Sequence, residues 1–111
     1  MTPEPPPTLA AVLARLDLAE LAVVAPTLVD AERINARDDF IRAAIGRFFA
    51  DLPVTRAAKD LAAHMKAPPP ATTAIGGAVA GVLLLSEGRS LSWSQIRRIC
   101  DGWRGHKFPD S

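Results

Sequence analysis

From Ala67 to Ser86 the chain runs for twenty residues without a charged side chain, and that run limits what the whole can fold into. Such a segment must be a membrane span or the buried centre of a small globule. Gly77 and Gly81 spell the G-x-x-x-G pattern of packed membrane helices. Length decides against a span. Pro68, Pro69 and Pro70 with Thr72 and Thr73 occupy the front of the run, and the about 12 to 14 apolar residues that remain fall short of the roughly 20 a span requires. The expectation is a helix over residues 73–87, capped by Thr72 or Thr73, ended by Gly88 and buried almost all round. Gly76, Gly77, Ala78, Ala80 and Gly81 give it a side of little bulk on which another helix can approach closely. Interior glycine costs a helix about 1 kcal/mol relative to alanine, so three of them call for a packing return.

The stretch that follows carries the clearest local signal. Ser92 can cap a helix and Gln95, three residues on, can reach back to its backbone, which is the reciprocal capping box; Leu91 and Ile96 are spaced as a hydrophobic staple across it. Ile96, Ile99, Cys100 and Trp103 fall at i, i+3, i+4 and i+7, one stripe for the core, and Gly105 is the expected end. Arg97, Arg98 and Arg104 lie outside the stripe. Asp101 stands four residues after Arg97, where the two can pair.

Elsewhere, punctuation divides the chain into short helices. Residues 1–7 hold four of the ten prolines and read as an extended tail. Thr8 can cap a helix whose Leu9, Val12, Leu13 and Leu16 share a face. Asp17 and Glu20 repeat the capping-box spacing, with Leu16 and Leu21 as staple, and open a second helix that ends near Pro26. The next helix can start from Thr27 with Asp30 or from Asn35 with Asp38. Its Phe40, Ile41, Ala44, Ile45, Phe48 and Phe49 form the broad apolar face expected at the centre of the core, and Asp38 with Arg42 has i, i+4 spacing. Leu52-Pro53-Val54 breaks it, Thr55 opens another, and Ala57, Ala58, Leu61, Ala62 and Met65 make a narrow small-residue face. No apolar-polar alternation runs long enough for a strand. The fold class is therefore all-α: a compact bundle of five to six short helices occupying residues 8–105 as one domain, with 106–111 as a C-terminal tail. Phe40, Ile41, Phe48, Leu61, Val79, Leu83, Ile96 and Ile99 are expected in one core.

Catalysis and metal binding find no support in these residues. His64 and His106 stand far apart without ligands at metal spacing, and Cys100 falls on an apolar stripe. Gly76-Gly77 lacks the lysine of a phosphate loop. Asp38 and Asp39 project to different sides of one helix. No cofactor is expected. A single cysteine and the lack of a signal-like leader point to the cytoplasm. Net charge is +1, yet it is unevenly placed: residues 88–111 hold five basic and two acidic side chains, residues 1–51 five basic and eight acidic.

The paired segments, with Leu83, Leu84 and Leu85 before Gly88 and the run S-W-S-Q-I-R-R-I after it, resemble the helix-turn-helix DNA-binding superfamily over residues 74–105, a C-terminal pair within the bundle. That resemblance implies double-stranded DNA as partner and the second helix in a major groove. By position, Ser94, Gln95, Arg97 and Arg98 would face the bases, with Arg89, Arg104 and Lys107 among the DNA-binding residues. It also implies a regulatory role and, from the need for two half-sites, a homodimer, for which the glycine side offers a surface. Residues 36–65 look like small, uncharacterised helical proteins of proteobacterial plasmids and prophages, which places the chain on a mobile element. The other reading is a helical protein-interaction module, an adaptor or an inhibitor of a partner protein, using the Phe40 helix, the glycine-rich helix or Trp103.

Overall fold

The computed structural model describes residues 9–107, with Ala10 and the last six residues described by backbone alone. Six α-helices and one 3-10 turn account for its regular structure: α1 (Leu9–Leu13), α2 (Leu18–Val24) with the 3-10 turn Ala25–Thr27, α3 (Asp30–Phe48), α4 (Val54–Lys66), α5 (Ala74–Leu85) and α6 (Trp93–Lys107). There is no strand among the described residues, as the lack of alternation predicts. None of their helices is long and apolar enough to cross a membrane.

Packing alternates along the chain. The main neighbour of α3 is α5 and the main neighbour of α4 is α6, while α3 and α4 touch only lightly where they meet. The small-residue face of α4 explains its choice: Ala57, Ala58, Leu61, Ala62 and Met65 are all buried, and Ile96 and Cys100 of α6 join them in one cluster. Ile41, Ile45, Val79 and Val82 extend that cluster through α3 and α5, with Phe40, Phe48, Leu83 and Ile99 half-buried against it. The eight residues expected in one core are thus together. A second cluster, of Leu13, Leu21, Ala25, Ala36 and Leu85, seals the N-terminal end.

Two glycines of α5 are closely approached from within the chain. A Cβ on Gly81 would come 3.2 Å from the Phe40 ring of α3, and one on Gly76 would strike the Pro70 carbonyl. Pro70, the last of the three prolines after α4, therefore closes over the start of α5. Thr73 is the cap, its hydroxyl accepting from the Gly76 amide at 3.0 Å and donating to the Pro70 carbonyl at 2.7 Å.

Several local expectations need correction. Helix α3 starts at Asp30 with Val29 at the cap position and no side-chain cap, so neither proposed capping pair opens it; the Thr27 hydroxyl donates instead to the Val24 carbonyl. Helix α4 starts one residue before Thr55. Asp38 pairs with neighbouring Arg37, and Arg42 with Asp39, rather than Asp38 with Arg42. Val12 is 42% exposed, because α1 ends at Leu13 before its face is complete. The Thr8 cap and the 1–7 tail lie outside the described residues. Helix α6 continues through Gly105 to Lys107, so Gly105 does not end it and 106–107 belong to the helix.

Helix α5 ends at Leu85, and after its Ser86 cap both Glu87 (φ 58°) and the expected Gly88 (φ 78°) are left-handed. The Glu87 amide donates to the Leu84 carbonyl and the Gly88 amide to the Leu83 carbonyl at 2.7 Å. This is the Schellman pattern, with glutamate in the place glycine usually takes. Arg33 of α3 reaches that corner: it donates to the Leu85 carbonyl at 3.0 Å and pairs with Glu87 at 3.3 Å.

Candidate nucleic-acid interface

Helix α6, on which most of the expected DNA contacts fall, is held from three sides. Its start is fixed by the capping box: the Ser92 hydroxyl accepts from the Gln95 amide at 3.3 Å and the Gln95 side-chain oxygen accepts from the Ser92 amide at 3.1 Å. Leu91 and Ile96, the staple pair, are both buried in the main cluster. The Ser90 hydroxyl donates to the Met65 carbonyl at the end of α4, and Arg42 of α3 donates to the Ile99 carbonyl at 3.4 Å. Ile96 and Cys100 are fully buried, with Ile99 half-buried beside them. Trp103, the last residue of the expected stripe, has its side chain outside the described residues.

Ser92→Ala should therefore destabilise the domain by about 1 kcal/mol, read from urea unfolding. A change near zero would mean that the cap bond contributes nothing in solution.

With its stripe turned inward, α6 leaves Ser94, Gln95, Arg97, Arg98 and Asp101 exposed, and Arg89 is exposed on the connection before it. These residues share a surface but not a condition. Arg97 donates to Asp101 at 3.1 Å, so its charge is already met. The Gln95 oxygen is engaged at the cap, accepting from both the Ser92 amide and hydroxyl, and Ser94 shares a hydrogen bond with Ser92. Arg89 and Arg98 have no ion-pair partner among the described residues. The side chains of Arg104 and Lys107 lie outside the described residues.

One member of this surface escaped the sequence reading. The Lys59 ammonium of α4 sits 4.9 Å from the centre of the Trp93 ring, and Trp93 is 39% exposed at the first turn of α6. A cation over an indole face is an attractive arrangement, and it adds a positive charge from α4 beside the start of α6. Lys59 is exposed on α4, next to the buried Ala58. Its pairing with Trp93 depends on α4 packing against α6, which no local spacing announces.

The connection from α5 to α6 covers residues 86–92, and each of the two helices takes its main packing elsewhere, α5 on α3 and α6 on α4. The pair is held together through α3 and α4 rather than by mutual contact. Among the described residues no cluster of three His, Cys, Asp or Glu side chains is arranged to hold a metal ion. Asp38 and Asp39 are taken up by Arg37 and Arg42, and His64 packs its ring against Phe49 at 6.0 Å. Comparison with protein-family models, with curated proteins and with solved structures finds no match to this chain.

Proposed function

We propose that this chain is a small, non-enzymatic DNA-binding protein that lays the outer face of α6 on duplex DNA and holds it chiefly through phosphate contacts. The observation that carries this reading is a pair of exposed cations without ion-pair partners among the described residues, Arg98 on the rigidly seated α6 and Arg89 on the connection before it, with Lys59 alongside. The neighbouring polar groups favour phosphate contact over base reading. Gln95 and Ser94 are occupied at the cap and Arg97 at Asp101, so few unencumbered side chains remain to match base edges. A regulatory role on a mobile element agrees with the resemblances noted above.

A gel-shift or anisotropy titration of the full chain on duplex DNA at two salt concentrations tests the proposal. Arg98→Ala is expected to weaken binding to all sequences alike and to lower the salt slope by about 1, and Arg97→Ala to have the smaller effect because Asp101 already neutralises Arg97. Duplex DNA left unshifted at low salt defeats the reading. Symmetric half-sites would require a dimer. On the glycine side of α5, Gly81 is taken up by Phe40 and Gly76 by Pro70, which leaves the half-exposed Gly77, Ala78 and Ala80 for a partner. A monomeric mass by light scattering on the DNA-bound complex would count against paired half-sites.

The second reading, a protein-interaction module, draws on Val23 and Val29, 72% and 59% exposed on either side of the 3-10 turn. Loss of DNA binding in the titration, with retained folding, would favour it.

A further inference from the structure

On the side of the molecule formed by α2, α5 and the Pro68–Ala71 link there is a recess of about 850 Å³ to which α6 contributes no wall. Small-molecule sites are typically apolar clefts of ~300 to 1,000 Å³ with a few polar groups at defined points. The recess has that composition. Leu18, Ala22, Leu28, Leu83, Leu84 and Pro69 contribute to its walls, and the charged residues that line it are Asp30, Arg33 and Glu87.

Those three set the sign of charge it can accept. Arg33 is the inner member, its side chain only 11% exposed. Both of its terminal nitrogens are engaged, one on the Leu85 carbonyl and the other on Asp30 at 3.1 Å and Glu87 at 3.3 Å. Asp30 and Glu87 are 89% and 63% exposed, so both carboxylates stay open to solvent at the rim. Two carboxylates against one guanidinium leave the rim with one net negative charge. An anionic ligand would meet two carboxylates before an arginine that is already occupied.

We propose that this recess is a binding site for a small apolar organic cation, an aryl- or alkylammonium compound, whose hydrocarbon part lies between α2 and α5 and whose ammonium group is received by Asp30 and Glu87. The site is independent of the DNA-binding face, and its failure leaves that reading untouched.

The test is a titration of the full chain with two matched probes, 2-(1-naphthyl)ethylammonium and 1-naphthylacetate, followed through backbone amide shifts in NMR. Saturable shifts centred on Ala22, Leu84 and Gly88 are expected with the ammonium, and binding weaker by about tenfold or more with the carboxylate. Ala22→Phe, at an exposed position on the wall, should abolish the ammonium shifts, and Glu87→Gln should narrow the difference between the probes. Three results overturn the proposal: no saturable shift with the ammonium, equal affinity for both probes, or shifts centred outside the recess.

Discussion

Gly76→Ala is expected to destabilise the domain by about 3 kcal/mol, although the substitution improves intrinsic helix propensity. The added methyl would stand 2.6 Å from the Pro70 carbonyl carbon, closer still to its oxygen, and 2.7 Å from the Thr73 hydroxyl. None of these atoms can easily withdraw. The Pro70 carbonyl is held by the Thr73 amide at 3.0 Å and the Thr73 hydroxyl at 2.7 Å, and that hydroxyl also caps α5. Relief would displace the proline link and break the cap together. Gly46→Ala and Gly77→Ala are the controls: the first meets nothing within 4 Å and the second an ordinary 3.5 Å contact, so each should stabilise by about 0.5 to 1 kcal/mol. Urea unfolding at constant slope reads all three. A neutral Gly76→Ala would show that the proline link does not close over α5 in solution.

Leu61→Ala is expected to remove about 3 to 4 kcal/mol, in the middle of the range for core leucines. Leu61 is fully buried on the α4 face, and its neighbours on that face include Ala57, Ala58 and Ala62. The cost of a deleted side chain depends on how far the surroundings can close the cavity. Methyl groups on a rigid helix cannot swing into it. For a domain of this size the loss corresponds to a fall in melting temperature of about 15 °C. Since α4 is the main support of α6, amide exchange in the first turns of α6 should accelerate in the same variant. A loss below about 1 kcal/mol would mean that α4 and α6 do not share a packed core.

What could be read from residues alone divides along a physical line. Both capping boxes, Asp17 with Glu20 and Ser92 with Gln95, form as their spacing predicts, because each needs only four consecutive residues to close. The inward faces of α4 and α6 were legible for a related reason: the helical period places Leu61 with Met65 and Ile96 with Cys100 whatever they pack against. Spacing could not tell which partner an arginine selects when two carboxylates lie within reach, and Arg42 takes Asp39. Nor could it show that Glu87 would be left-handed as well as Gly88, since residue preference favours glycine and the bond from Arg33 arrives from 54 positions earlier in the chain. The same holds for the candidate interface. Exposure of Arg97 and Arg98 follows from the stripe, and the Arg97–Asp101 pair from i, i+4 spacing, but Lys59 comes to Trp93 only through tertiary packing.

The alternation of partners, α3 with α5 and α4 with α6, bears on how the chain can emerge from a ribosome. Synthesis delivers residues in order at roughly 5 to 20 per second, and domains generally fold once their units are out. When residue 70 has left the exit tunnel, α3 and α4 are available but touch each other only lightly, and the faces carrying Ile45 and Leu61 still await residues 74–100. A nascent chain arrested there would present two apolar helix faces to the cytosol and offer a chaperone its longest window of access. Emergence of residues 74–100 closes both faces nearly at once, so folding should wait for that stretch to leave the tunnel.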